Sequence, residues 1–145
     1  MAAFQFRLQR VLEWYGTQLR LEENRFAACQ AALNMIEERL ARLRAERLSI
    51  ERDVISGDSI RATDLAALGL YRVRANKEAL ALDDERARRQ RTLRDQLAAV
   101  QVAQRRVRLV EKLREKRLSE HRAVEDRALE NLAAEAYLSK WTAKQ

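Results

Sequence analysis

Two residue types with nucleophilic or acid–base chemistry occur once each: Cys29 and His121. A thiolate–imidazole pair needs the two side chains within hydrogen-bond reach. Cys29 falls within an apolar series at helical spacing, and His121 lies far downstream. In a two-helix pairing Cys29 faces residue 89 or so, which leaves it roughly 45 Å short of His121 at helical rise. Cys29 therefore reads as a small seam hydrophobe, and His121 as a solvated side chain. The carboxylate pairs Glu22-Glu23, Glu37-Glu38 and Asp83-Asp84 sit in helical segments with no pocket between them. No phosphate-binding glycine loop and no metal-ligand spacing occurs. These residues predict no catalytic set, no cofactor and no small-molecule substrate: a non-enzymatic protein.

The remaining chemistry is charge. Residues 1–60 balance nine basic against nine acidic side chains, whereas residues 86–117 hold twelve basic against three acidic. The basic set includes Arg86, Arg88, Arg89, Arg91, Arg105, Arg106 and Arg108. Such a stripe attracts an acidic protein surface, an anionic lipid surface or nucleic acid. Helical readers of DNA fork a free basic arm from a dimeric zipper. The first reading of the stripe is a solvated helix surface with some arginine stems covering the seam; protein contact comes second, and nucleic acid last, because the basic residues fall inside a paired region.

The elements that position these residues follow from composition and periodicity. The 145-residue chain has no proline, three glycines and 35% charged side chains, which favours long helices over a thick core. Alternating steps of four and three from Leu8 reach Leu12, Tyr15, Leu19, Glu22, Phe26, Cys29, Leu33, Ile36, Leu40, Leu43, Arg47, Ile50 and Val54. Only Glu22 and Arg47 break this apolar series. A sustained spacing of 3.5 drives left-handed supercoiling of paired helices, and the first helix is roughly 75 Å long. Gly57 could adopt the left-handed conformation that closes a helix, and Asp58, Ser59 or Thr63 could cap the next. Downstream, Leu65, Leu68, Ala75, Ala79, Leu82, Leu93, Leu97, Val100 and Val107 form a poorer seam, broken by Arg72, Arg86 and Arg89.

One break between two apolar seams predicts an all-α fold: an antiparallel coiled-coil hairpin forming a single domain over 1–145. Its helices span about 4–55 and about 63–142, with a turn at about 56–62. Residue i on the first helix faces roughly 118 − i on the second. Glu22 is then level with Arg94–Gln96, Arg47 with Tyr71, and Leu8 near Val110. The longer second helix projects beyond the first over about 115–145. Leu129, Leu132, Tyr137 and Trp141 follow amphipathic spacing there and are candidate docking residues.

No run of 18 apolar residues occurs, the first residues lack a signal-peptide core, and a lone cysteine suits a reducing compartment; a cytoplasmic protein is expected.

The opening Phe4-Gln5-Phe6-Arg7-Leu8-Gln9-Arg10-Val11-Leu12, with Glu22-Glu23 after it, resembles the start of the flagellar export protein FliJ family. Val110-Glu111-Lys112-Leu113-Arg114-Glu115-Lys116-Arg117, followed by an alanine-rich tail, is similar to that family's C-terminal third. Where such tails carry an Asp-Glu pair, this chain reads Glu130-Asn131-Leu132-Ala133-Ala134-Glu135. The resemblance implies a stalk or adaptor of the flagellar type III export apparatus, or of its injectisome counterpart. The implied partners are the hexameric export ATPase, the cytoplasmic domain of the export gate and export chaperones, at the inner face of the cell membrane. The alternative is a basic coiled-coil scaffold or nucleic-acid-binding protein.

Overall fold

The computed structural model describes residues 2–57 and 59–145. Two helices make up the fold: α1, Gln9–Ile55, and α2, Ala62–Ala143. They pack against each other as a helical hairpin, and α2 is the longer, 82 residues against 47. All fourteen positions of the four–three series from Leu8 to Val54 are buried or half-buried, including Glu22 and Arg47.

Gly57 does not close α1 through a left-handed residue, because no glycine among the described residues has positive φ. α1 instead ends on a last backbone bond from Ser56 N to Arg52 O at 2.9 Å. α2 begins with Arg61 O accepting from Asp64 N and Leu65 N at 3.1 and 3.2 Å. The carboxylate of Asp64 in this first turn suits the positive end of the helix dipole. Neither Ser59 nor Thr63 makes a side-chain capping bond among the described residues, and Asp58 lies outside them.

The chain divides into two compact units. The first to be considered, Leu21–Gln101, contains the turn. Its buried apolar residues are Leu33, Ile36 and Leu40 on α1 and Leu68, Ala75, Leu82 and Val100 on α2. Ile36, Leu40 and Leu82 form one cluster, with Leu43 packed on it. Leu68, Ala75 and Leu82 recur at intervals of seven, the spacing that keeps one face of α2 on its partner. Burial of a large aliphatic side chain contributes about 1.5–3 kcal/mol. Leu65 and Leu97, expected in this seam, are instead exposed. Leu65 lies in the first turn of α2, and Leu97 follows Gln96, which occupies the facing position.

Polar contacts across this unit fall at the breaks in the apolar series. Gln96 Nε2 donates to Glu22 O at 3.1 Å and to a Glu22 carboxylate oxygen, as the 118 − i relation requires. Arg47 Nη1 donates to Asn76 Oδ1 at 2.7 Å. Asn76 lies five residues beyond Tyr71, the residue expected level with Arg47. Arg72 Nε donates to Glu51 Oε1 at 3.0 Å, and Arg47 Nε reaches the same oxygen at 3.4 Å.

The second unit comprises Met1–Arg20 and Val102–Gln145. Ala103 and Val110 are buried here, and Leu8, Leu12, Tyr15 and Leu19 are half-buried. Residues 2–6 are not helical, although helix was expected from about residue 4. An extended segment advances about 3.3 Å per residue against 1.5 Å in a helix. The segment consequently carries Phe4 as far along α2 as His121. Half-burial on α2 continues through Leu118, His121 and Glu125, and every residue from Asp126 to Gln145 is exposed. The uncovered end thus starts about ten residues later than the helical register implied.

Candidate docking surfaces

The basic residues divide by what neutralises them. In the unit 21–101, Arg86 is half-buried and pairs with Asp83 at 3.3 Å, one turn back on α2. Arg89 pairs with Glu85 at 3.9 Å. Arg88 and Arg91 are exposed and make no ion pair among the described residues. In the other unit Arg105, Arg106 and Arg108 are likewise exposed and unpaired among the described residues. Pairs within one helix are worth only a few tenths of a kcal/mol, about 0.3–0.5. Even Arg86 and Arg89 are therefore available to a stronger anion.

Leu129, Leu132, Tyr137 and Trp141 are all exposed on the last turns of α2, Tyr137 at 70% and Trp141 at 55%. Tyr137 and Trp141 are four residues apart, so their rings lie over neighbouring turns of one side. The helix runs to Ala143 through this stretch. Its backbone bonds are therefore formed while its apolar side chains face solvent. Exposed aromatic side chains on a formed helix are suited to serve as anchors in a partner's pocket.

His121 is not the solvated side chain expected. Its ring lies 5.6 Å from that of Phe4 at an interplanar angle of 49°, and Nε2 is 3.1 Å from Glu125 Oε1. The Arg114 guanidinium carbon stands 5.9 Å from the Phe4 ring centre, within cation–π range. Phe4 thus contacts two side chains of α2 that stand seven residues apart. An open groove runs between this segment and α2, lined by Phe4, Phe6, Leu8, Leu113, His121 and Val124. Periodicity could not reveal it, since an extended segment carries no helical spacing; the aromatic pair Phe4 and Phe6 was the available signal.

Cys29 is half-buried in the α1 seam. No group of three or more His, Cys, Asp and Glu side chains capable of holding a metal ion occurs among the described residues. No helix among them is long and apolar enough to cross a membrane. Compared with protein-family models, with curated proteins and with solved structures, the chain matches none.

Proposed function

We propose that this chain is a non-catalytic adaptor of a bacterial type III export apparatus, acting as a stalk between the export ATPase ring, the export gate and export chaperones. The observation that carries the reading is the helical end 126–145, in which Leu129, Leu132, Tyr137 and Trp141 stand free of any covering chain. Four such side chains give a docking surface of several kcal/mol, at about 1.5–3 kcal/mol per large side chain buried. The resemblance to the FliJ family supplies the identity of the partners. A hairpin presents different faces to successive subunits of a ring, and so biases them without contributing a reacting group.

Arg88, Arg91, Arg105, Arg106 and Arg108 supply the second attachment, to an acidic surface of the export gate or the ATPase. Charge of this kind accelerates encounter and sets orientation more than it adds affinity. The same contacts would hold the protein peripherally at the inner face of the cell membrane.

The test is the hydrolysis rate of a cognate export ATPase with and without the full chain. The rate rises on addition, and Tyr137→Ala with Trp141→Ala weakens the effect while the helical circular dichroism is retained. An unchanged rate, together with no binding to ATPase, gate domain or chaperone, removes the proposal. The exposed arginines also favour a second reading, a polyanion partner such as nucleic acid. Its signature is an affinity that falls steeply with salt, in proportion to the number of phosphates contacted.

A further inference from the structure

The charges on the exposed end of α2 are segregated along its axis. Residues 126–135 hold Asp126, Glu130 and Glu135 against Arg127, whereas residues 136–145 hold Lys140 and Lys144 and no acid. Lysines near a helix C-terminus complement its dipole, but that effect does not account for the acids two to four turns earlier.

At about 100° per residue, one arc of roughly 120° collects Asp126, Leu129, Glu130, Ala133, Tyr137, Lys140 and Trp141, with Lys144 at the same angle as Asp126. Glu135 and Arg127 fall outside this arc. All of these side chains are exposed. A surface that is acidic at one end, basic at the other and apolar between complements itself when reversed.

We propose that this face pairs with the same face of a second copy of the chain, antiparallel and centred near residue 135. In that register Asp126 of each copy is level with Lys144 of the other, and Glu130 with Lys140. Leu129 is level with Trp141, and Ala133 with Tyr137. Ala133 near the middle is small enough for close backbone approach, which lets the flanking leucine and aromatic side chains bury against each other. Parallel pairing would instead set Glu130 on Glu130 and Lys140 on Lys140, so the charges choose the orientation. Exposed ion pairs add little affinity; burial of Leu129, Tyr137 and Trp141 supplies it. The pairing is independent of the adaptor reading. It covers in the free protein Leu129, Tyr137 and Trp141, which any other partner on that face would have to displace, and leaves Leu132 outside the arc.

Sedimentation equilibrium of the full chain at tens of micromolar tests it. The chain sediments as a dimer. Glu130→Lys brings like charges together twice per dimer and weakens association about tenfold, and Lys140→Glu does the same. Combining both substitutions restores the wild-type association, and a mixture of the two single variants associates with each other in preference to themselves. Circular dichroism confirms that each variant keeps its helices. A wild-type chain that stays monomeric, single variants that associate as the wild type does, or a double variant that does not recover, would each overturn the pairing. A monomer that still stimulates the ATPase would overturn this inference alone and leave the adaptor reading standing.

Discussion

The side-chain amide of Gln96 on α2 donates to both the backbone carbonyl and the carboxylate of Glu22 on α1. Glu22 also accepts from Arg25 at 3.0 Å, one turn along α1. A carboxylate in an apolar seam costs stability unless it is hydrogen-bonded. Here both carboxylate oxygens are occupied, and the break in the heptad series becomes a device that fixes register. A one-turn slip would leave Glu22 facing Leu93 or Val100, with no donor.

Glu22→Ala and Gln96→Ala should therefore each cost about 1–2 kcal/mol, with a coupling of similar size in a double-mutant cycle by chemical denaturation. Replacing both by leucine should match or exceed wild-type stability. It should also broaden the distribution of helix registers. Additive single losses would show that the contact sets nothing.

The Arg72 hydrogen bond to Glu51 holds that carboxyl below its ordinary value of 4.5, helped by Arg47 and opposed by burial. A carboxylate with a lowered folded-state pKa stabilises the fold fully above its unfolded pKa. The contribution is lost as pH falls through the folded value. Melting temperature should thus drop on acidification below about 4.5, and Glu51→Gln should flatten that part of the profile. An unchanged slope in the variant would place the acid sensitivity elsewhere.

Gly57 requires neither a positive φ nor close approach. Among the described residues, the atoms nearest a Cβ there are Val54 O at 3.8 Å, Asp53 O at 3.9 Å and Ser59 O at 4.0 Å, ordinary van der Waals distances. Gly57→Ala should stabilise the hairpin by about 0.4–1 kcal/mol, by reducing the freedom of the unfolded chain. Destabilisation on thermal melting would show that the turn needs glycine.

The Tyr71 hydroxyl is buried without a hydrogen-bond partner among the described residues. Desolvation, reinforced by Glu46, Glu78 and Glu51 and opposed by Arg47, raises its pKa above the usual phenol value. Tyr71→Phe removes an unsatisfied group and should be neutral or stabilising in thermal melting. A clear loss of stability would reveal a partner for the hydroxyl.

Phe4→Ala should release the N-terminal segment from His121 and Arg114. Hydrogen exchange is then expected to rise across 4–8 and around His121, with the turn-proximal unit unaffected. Protection equal to wild type would mean that Phe4 holds nothing in place.

How far the sequence could be read depended on periodicity. The α1 seam was legible throughout because each of its positions obeys one spacing, and Glu22 found its partner because the 118 − i relation holds at that level. α2 was harder. Its apolar residues occupy more than one face, so the heptad reading also takes in Leu65 and Leu97, which are exposed, alongside Leu68, Ala75, Ala79, Leu82, Leu93 and Val100, which are buried or half-buried. Arg47 acts on Tyr71, the residue at its expected level, while its guanidinium bonds to Asn76 further along α2. The N-terminal segment left no periodic trace, and with it went the environment of His121 and the true start of the uncovered end. Leu129, Leu132, Tyr137 and Trp141 stand out in the sequence by type and spacing; their exposure depends on where the N-terminal segment stops.

A stalk of this kind requires one chain to fold back on itself so that Asn24 and Arg94 are level. The most direct measurement is a pulsed electron-resonance distance between spin labels at Asn24→Cys and Arg94→Cys, with Cys29→Ala and excess unlabelled chain to suppress intermolecular signal. Paired helices lie 8–10 Å apart, so a narrow distribution near about 20 Å is expected once the label arms are included. A broad distribution, a distance beyond about twice that, or a short distance that vanishes on dilution with unlabelled chain would contradict the hairpin.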